Sequence, residues 1–166
     1  TAPLLRIEIV EEGGTASALP STLATIEPLD ISGAEERTIT FTQNLRDGLS
    51  TFGLNDQLYP EAPLVLSSEV GKTEIWTLEN QTTYDHPFHL HGFRFQVLEQ
   101  DGVPPAIDEW KDTLNVPREQ SARIAVHFDD RPVMWMLHCH ILNHAEIGMM
   151  GMLQVSRPGE ADPHTH

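Results

Sequence analysis

Cysteine is almost absent from this chain of 166 residues, which contains only Cys139. A single cysteine excludes a disulfide within the chain, so cystine content gives no information on the redox compartment. Basic residues are also few, because 10 lysines and arginines stand against 25 aspartates and glutamates, a formal net charge of −15. Phosphate binding needs a basic face, so we expect no nucleic-acid partner. The charge favours solubility or the attraction of cationic molecules.

Long hydrophobic runs are missing as well. No apolar stretch approaches the roughly 18 residues of a membrane span. No secretory leader is visible, and because the first residue is Thr1 rather than Met, we expect an N-terminus that was processed or cut. A chain of this length most simply forms one domain with its own core.

Histidine is concentrated in two short strings, HPFHLHG at 86–92 and HCHILNHAEIGMM at 138–150. The second string also contains the only cysteine and two methionines. A cysteine thiolate, two imidazoles and a weak axial methionine form a blue-copper electron-transfer site, because soft donors select copper and imidazole suits it. The two strings therefore predict a copper site.

The first predicted site combines Cys139 with His144, Met149 and a distant histidine. We expect a helical turn at 141–147 to bring His144 and Met149 to the same metal. His86 is the natural distant ligand, because a proline separates it from the histidines that follow. Zinc competes for cysteine and histidine ligands, but a thioether is a poor zinc ligand, so copper fits better.

A second site follows from the histidines on both sides of the cysteine. Side chains alternate along a strand, so Cys139 would face one way while His138 and His140 face the other. His89 and His91 also lie two residues apart and would share one face. A protein with one metal centre needs only one of these faces, so the paired histidines predict a second centre.

Other polar residues are interpreted separately from these two sites. His127 stands outside both strings and is interpreted as structural, and His164 and His166 as tail residues. Asp85 and Asp112 are candidates for carboxylates that orient ligand imidazoles, although surface or strand-end roles suit them equally.

Apolar residues alternate with polar ones, as Ile39 and Phe41 do with neighbouring threonines, and period two predicts half-buried strands. We predict strands at 4–10, 37–43, 74–79, 93–99, 121–128, 133–139 and 149–155. With proline and glycine between these runs, an all-β, antiparallel β-sandwich fits best. Residues 1–36 are predicted to be a linker or extended lead-in, 37–156 the compact domain and 157–166 a mobile tail.

The two strings resemble the copper-binding strings of the multicopper oxidases, the group that contains laccases and related metallo-oxidases. Residues 110–113 and the stretch from Phe52 to Glu79 also resemble the C-terminal cupredoxin domain of bacterial, laccase-like members. The resemblance covers roughly residues 37–156. It implies a cupredoxin-like Greek-key β-sandwich with a short helical turn near the copper site.

The resemblance also implies a role for each candidate ligand. The type 1 copper would take His86, Cys139 and His144, with Met149 as the axial ligand. The type 2 copper would take His89, and the type 3 pair His91, His138 and His140. Cys139, His138 and His140 would then carry electrons from a donor oxidised at the type 1 copper to a trinuclear site that reduces dioxygen to water.

The sequence departs from the family pattern in two places. The trinuclear cluster of the family needs four further histidines from an N-terminal domain, and they are absent here. We therefore expect the C-terminal third of a longer enzyme, partnered by its N-terminal domains and acting on dioxygen and a small reducing substrate. Many bacterial relatives also place a carboxylate directly after the histidine matching His144, where this chain has Ala145 and then Glu146. Proton delivery and a solvated helix-turn position both remain open for Glu146.

Three other functions remain as alternatives. A simple electron carrier with type 1 copper alone leaves four histidines without a role. A relative of copper nitrite reductase would use one histidine beside the cysteine, and a copper store is the weakest alternative.

The five methionines are interpreted as site lining and core, which favours a laccase-like donor range. The family implies a periplasmic or extracellular location.

Overall fold

The computed structural model describes residues 25–106 and 109–160, together with Glu8 and Ala18. This part of the chain is almost entirely β-structure. Eleven strands and one short helix follow in the order β1 (Glu35–Arg46), β2 (Leu49–Leu54), β3 (Leu64–Glu69), β4 (Thr73–Asn80), β5 (His86–Leu90), β6 (Phe95–Gln100), β7 (Trp110–Lys111), β8 (Thr113–Val116), β9 (Ser121–His127), β10 (Met134–Cys139), α1 (Leu142–Glu146) and β11 (Met150–Ser156). No helix in these residues is long and apolar enough to span a membrane.

The strands form two sheets that pack as a cupredoxin-like sandwich. The first sheet has the order β2-β1-β4-β9-β6-β7, and the second has the order β3-β11-β10-β5-β8. The predicted all-β sandwich is confirmed. The expectation of purely antiparallel pairing is wrong for two pairs, because β1 lies parallel to β4 and β3 parallel to β11. Crossover connections bring these strands side by side, and local sequence patterns carry no information on them.

Six of the predicted strands are confirmed, with ends that shift by a few residues, and the predicted helical turn is α1. The strand predicted at 4–10 lies outside the described residues except for Glu8. The sequence pattern missed β2, β3, β5, β7 and β8. Most of these strands are short, and β5 contains Pro87 within its five residues.

The core between the sheets is aromatic and lies directly beneath β5. Phe88 of β5 stacks on Phe41 of β1, with ring centroids 6.0 Å apart, and meets Trp76 of β4 edge-on at 6.4 Å. All three side chains are at most 1% exposed. Burial of such large aromatic groups is the main favourable term in folding, so β5 is fixed rigidly against the core.

A buried charged residue joins the two sheets away from the histidines. The Glu74 carboxylate on β4 accepts hydrogen bonds from the Arg37 guanidinium, the Ser68 hydroxyl and the Trp76 indole N–H. Arg37 also donates to the carbonyl of Ser67 on β3, in the other sheet. Burial raises the pKa of Glu74, but these hydrogen bonds outweigh it and hold the pKa below its ordinary value.

Residues 25–34, the described residues directly before β1, form no strand or helix, yet one side chain of the sandwich binds them. The Gln96 amide accepts a hydrogen bond from the Leu29 backbone N–H at 2.9 Å and donates to the Glu27 carbonyl at 2.8 Å. Gln96 is 9% exposed. Because both polar groups of one nearly buried side chain are used, residues 27–29 have a defined position on β6.

Candidate metal centre

Two neighbouring strands place the candidate ligands. β5 and β10 pair antiparallel, with His89 opposite His138 and Phe88 opposite Cys139. Along β10 the burial alternates, so Cys139 is 2% exposed and points into the core, whereas His138 is half-buried on the outer face. The predicted division of this segment between two faces is therefore present in the structure.

A buried triad of His86, Cys139 and His144 lies on the inner side. The His86 Nδ1 atom lies 3.5 Å from the Cys139 Sγ atom and 3.1 Å from the His144 Nδ1 atom. The His144 Nδ1 atom lies 3.8 Å from the same sulfur. All three residues are buried, and their ligand atoms lie within 4.8 Å of one another. One ion placed among these three atoms would touch them all.

The orientation of His86 is set by a hydroxyl behind its ring. The His86 Nε2 atom lies 2.7 Å from the Thr82 Oγ1 atom, whose own hydrogen can go to the side-chain carbonyl of Asn80 at 2.9 Å. Asn80 is 2% exposed, and its amide group also donates to the carbonyls of Tyr84 and Val116. With Nε2–H donating to Thr82, the lone pair on Nδ1 faces the centre of the triad.

The short helix α1 and the turn after it bring the chain back to the triad. The Met149 N–H donates to the His144 carbonyl at 3.0 Å, and the Cys139 N–H donates to the Met149 carbonyl at 3.1 Å. Gly148 makes this turn with φ +129°, and a Cβ there would lie 2.8 Å from the Phe52 carbonyl oxygen. Met149 is 1% exposed and lines, with His86 and Cys139, a space too small for a water molecule.

Burial fixes the protonation states of the buried triad in the metal-free protein. It raises the pKa of the Cys139 thiol to about 11. It also lowers the pKa of His86 to about 4, aided by the neighbouring His144. At neutral pH the imidazoles are neutral and can bind a metal, while the thiol keeps its proton until a cation displaces it.

A second group, the outer histidine cluster, lies on the opposite face of the same strands. It consists of His89, His91, His138 and His140, whose ring centroids lie 4.7 to 5.8 Å apart in the pairs that contact each other. The Nε2 atoms of His91 and His138 are 2.9 Å apart. His89, His91 and His138 have ligand atoms close enough to hold one ion. His140 contacts the rings of His89 and His138.

Hydrogen bonds at Nδ1 place the lone pair of two of these imidazoles on Nε2. The His89 Nδ1 atom lies 2.9 Å from both the Asp112 carbonyl and the Thr113 hydroxyl, and the His138 Nδ1 atom lies 2.8 Å from the Cys139 carbonyl. A carbonyl oxygen only accepts, so Nδ1 carries the proton in each ring and Nε2 has the lone pair. Such bonds orient metal-binding histidines.

The glycine that ends the first histidine string has a steric role. Gly92 follows His91 with φ +78°, a conformation that other residues rarely adopt. A Cβ at this position would lie 2.4 Å from the Trp135 ring. Trp135 therefore packs directly against this turn, which only glycine allows.

The remaining candidates fall outside these two groups. The Asp112 carboxylate lies 3.8 Å from the His89 Nδ1 atom, so its backbone carbonyl, rather than its carboxylate, makes the short contact. Asp85 accepts a hydrogen bond from the Arg118 backbone N–H instead of orienting an imidazole.

His127 contacts the Thr73 hydroxyl, away from both groups. Glu146 lies exposed at the end of α1. His164 and His166 lie outside the described residues.

The interpretation of the methionines as site lining and core is confirmed only for Met149. The other four alternate with buried residues along β10 and β11 and lie on the outer face, namely Met134, Met136, Met150 and Met152. None of these four belongs to the core or to the half-buried side chains packed against it.

Thr82 and Asn80 are the site residues that sequence reasoning missed, and no local pattern points to them.

The ligand atoms of the buried triad suit copper. Two imidazole nitrogens and a thiolate, with a thioether in the same enclosed space, are the donors of a blue-copper centre. Zinc takes cysteine, histidine and carboxylate ligands, so the Met149 thioether would not serve a zinc ion, whereas thioethers suit copper. A copper ion therefore fits this group better than a zinc ion does.

The fold and the buried triad together are those of a copper-binding cupredoxin. Comparison with known proteins identifies the family to which the chain belongs. The chain belongs to the multicopper oxidase family, which it matches over residues 28–159.

Relatives of known name support this membership. The chain is 33% identical over 151 residues to a laccase of Haloferax volcanii, an alignment covering 86% of this chain and 26% of that protein. It is 34% identical over 110 residues to the multicopper oxidase mco of Staphylococcus aureus, covering 63% of this chain and 24% of that one. The structure of a multicopper oxidase from Pediococcus acidilactici superposes with a TM-score of 0.76 at 30% identity, over 91% of this chain and 33% of that one. The chain therefore spans a quarter to a third of the length of these relatives.

Proposed function

We propose that this chain is the C-terminal copper domain of a laccase-like multicopper oxidase, which oxidises one-electron donors and reduces dioxygen to water. One observation carries the proposal: Cys139 belongs to the buried triad, while His138 and His140 on either side belong to the outer histidine cluster. A protein with a single redox centre has no use for the second group.

In this proposal the buried triad would hold the type 1 copper, with the Met149 thioether beside it. His89 would hold the type 2 copper, and His91, His138 and His140 would hold the type 3 pair. The bound copper ions supply one-electron redox chemistry and dioxygen reduction. The residues of the chain fix the ligand geometry, keep water out of the buried triad and join the two groups covalently.

Electrons would leave the buried triad through the backbone of β10. The Cys139 carbonyl accepts a hydrogen bond from the His138 Nδ1–H at 2.8 Å, which adds a second link to the covalent one. On the other side, electrons would enter through His144, which is 7% exposed and contacts the exposed Tyr84 ring edge-on at 5.7 Å. Donor and dioxygen would therefore act at opposite ends of this path.

The outer histidine cluster supplies four of the eight histidines that a trinuclear centre of this family needs. The other four would come from N-terminal domains that precede residues 1–36, the lead-in to the domain at 37–156. The chain spans only 26% of the Haloferax volcanii laccase, which agrees with this reading. Family membership also points to a periplasmic or extracellular location.

A type 1 electron carrier is the second candidate, because the buried triad alone would serve it. Copper content separates the two functions. The proposal predicts one tightly bound copper and blue colour in the isolated chain, and four copper ions per molecule when the N-terminal domains are present. A full-length protein that binds one copper and shows only type 1 spectroscopic signals would favour the electron carrier.

A further inference from the structure

A row of methionines lies on the outer face of the second sheet, next to the outer histidine cluster. Along β10 and β11 these side chains alternate with buried ones and, at Trp135, with a half-buried side chain that packs against the core, so they point away from the core. Met134 is 37% exposed, and the other members are half-buried. This methionine row consists of Met134, Met136, Met150 and Met152.

The strand register brings these sulfur atoms together. Met136 lies opposite Met152, and His138 opposite Met150. Directly opposed residues of an antiparallel pair have Cβ atoms about 4.5 to 5.5 Å apart. Unbranched methionine side chains are flexible, so two opposed thioethers can close on one ion between them. Met134 lies on the same face two residues before Met136 and can add a third sulfur.

The chemistry of the row favours a soft cation. Neither β10 nor β11 contains a charged side chain, so carboxylate ligands for a hard cation are absent from these two strands. The outer face of the first sheet is different, since Arg123 there pairs with Glu36 at 3.2 Å. Neutral thioethers select Cu(I) among biological cations. If the methionine side chains served only to cover the sheet, leucine or valine would do so equally well.

We propose that the methionine row binds Cu(I), with Met136 and Met152 as the central ligands and Met134 as the third. The site is separate from the buried triad, because Met149 lies on the inner side of the sheet. His138 follows Met136 on the same face of β10 and lies opposite Met150. A bound ion therefore lies beside the outer histidine cluster and can pass to it during copper loading. The proposal concerns binding only, and it stands whether or not the chain is part of an oxidase.

The test uses Ag(I), a redox-inert substitute for Cu(I), and the full 166-residue chain with carbon-13 in its methionine methyl groups. The buried triad is first filled with a single equivalent of reduced copper, which its thiolate and imidazoles bind in preference to neutral thioethers, so that Met149 serves as an internal control. We expect the methyl signals of Met136 and Met152 to shift and to saturate with one added Ag(I), while the Met149 signal stays in place. Zn(II), which binds histidine but not thioether, should leave the methionine row unchanged.

Variants separate a metal site from an apolar surface. The double variant Met136→Leu with Met152→Leu keeps the volume of the row and removes its central sulfurs. We expect its affinity for Ag(I) to fall roughly 10- to 100-fold or more, since even indirect partners of metal ligands matter that much. The matched control is Val65→Leu, which alters the exposed residue opposite Met152 without touching a sulfur. Methyl signals that do not move, or unchanged affinity in the double variant, would make the row a packing surface only.

Discussion

The His138 Nδ1–H donates a hydrogen bond to the carbonyl of Cys139 at 2.8 Å, although the two consecutive side chains point to opposite faces of β10. The same peptide unit thus belongs to the buried triad and to the outer histidine cluster. A metal ion on either side would be linked to the other through a few covalent bonds and this hydrogen bond.

Replacement of the thiol should remove the colour of the copper-loaded protein. In Cys139→Ser a hydroxyl cannot supply the sulfur-to-copper charge transfer of a blue-copper site, so the intense visible absorption should disappear. The matched control is His127→Gln, which changes a histidine outside both groups and should leave the spectrum intact. A blue Cys139→Ser protein would contradict the assignment of the buried triad.

The axial neighbour should set the reduction potential. Met149→Leu removes a thioether that favours the oxidised ion, so copper should stay bound and its potential should rise. Met150→Leu is the control, because Met150 lies on the outer face and should not affect the potential. Redox titration followed by visible absorption measures both. An unchanged or lower potential in Met149→Leu would exclude Met149 as the axial ligand.

The hydroxyl behind His86 should contribute to copper affinity. Thr82→Val leaves the His86 Nε2–H without its partner at 2.7 Å, and loss of such an orienting bond costs roughly 10- to 100-fold in metal affinity. Thr82→Ser keeps the hydroxyl and should bind copper nearly as tightly as the original chain. Competition with a copper chelator measures the affinities. Equal affinities in Thr82→Val and Thr82→Ser would show that the hydroxyl has no orienting role.

The buried Glu74 should stabilise the fold in a pH-dependent manner. Its pKa lies below the ordinary value of 4.5, so its contribution is present above that pH and is lost as the pH falls through the folded-state value. Glu74→Gln leaves the charge of Arg37 without its partner and should lower the free energy of unfolding by about 3 kcal/mol at pH 7.

The difference between Glu74→Gln and the original chain should shrink as the pH falls below 4.5, because Glu74 then takes up a proton in the unfolded chain before it does so in the folded one. Glu36→Gln disrupts an exposed ion pair with Arg123 and should cost at most about 1 kcal/mol. Denaturant unfolding at several pH values gives these numbers. A constant difference down to pH 3 would refute the account of Glu74.

The sequence predicts much of the site because its chemistry is local. The spacing around Cys139 and the alternation along a strand were enough to divide the histidines between two faces. The fold class also follows from local alternation, as in the run from Ser121 to His127 that forms β9. Pairing of distant strands is not local, so the parallel neighbours of β1 and β11 could not be foreseen.

The residues that support the site could not be predicted, because their contacts also join distant parts of the chain. Thr82 contacts His86 only because the loop before β5 is folded around Asn80, whose amide binds residues far along the chain. Alternation places Glu74 on the same face as the buried Trp76, where a carboxylate is not expected, and only the structure shows Arg37 beside it. Alternation places Met134 and Met136 on the same face as His138, but the pairing of Met136 with Met152 depends on the register of β10 with β11.

Oxygen uptake tests the central claim most directly, namely that this chain holds a complete type 1 site and half of a trinuclear one. The measurement uses a phenolic donor with the copper-loaded 166-residue chain, alone and joined to the N-terminal domains that the proposed function requires. We predict that the isolated chain is blue but consumes no dioxygen, because half of the histidines that fix the second centre are missing. Addition of the N-terminal domains should restore turnover with water as the product. Sustained uptake by the isolated chain, or none with the N-terminal domains present, would contradict the account.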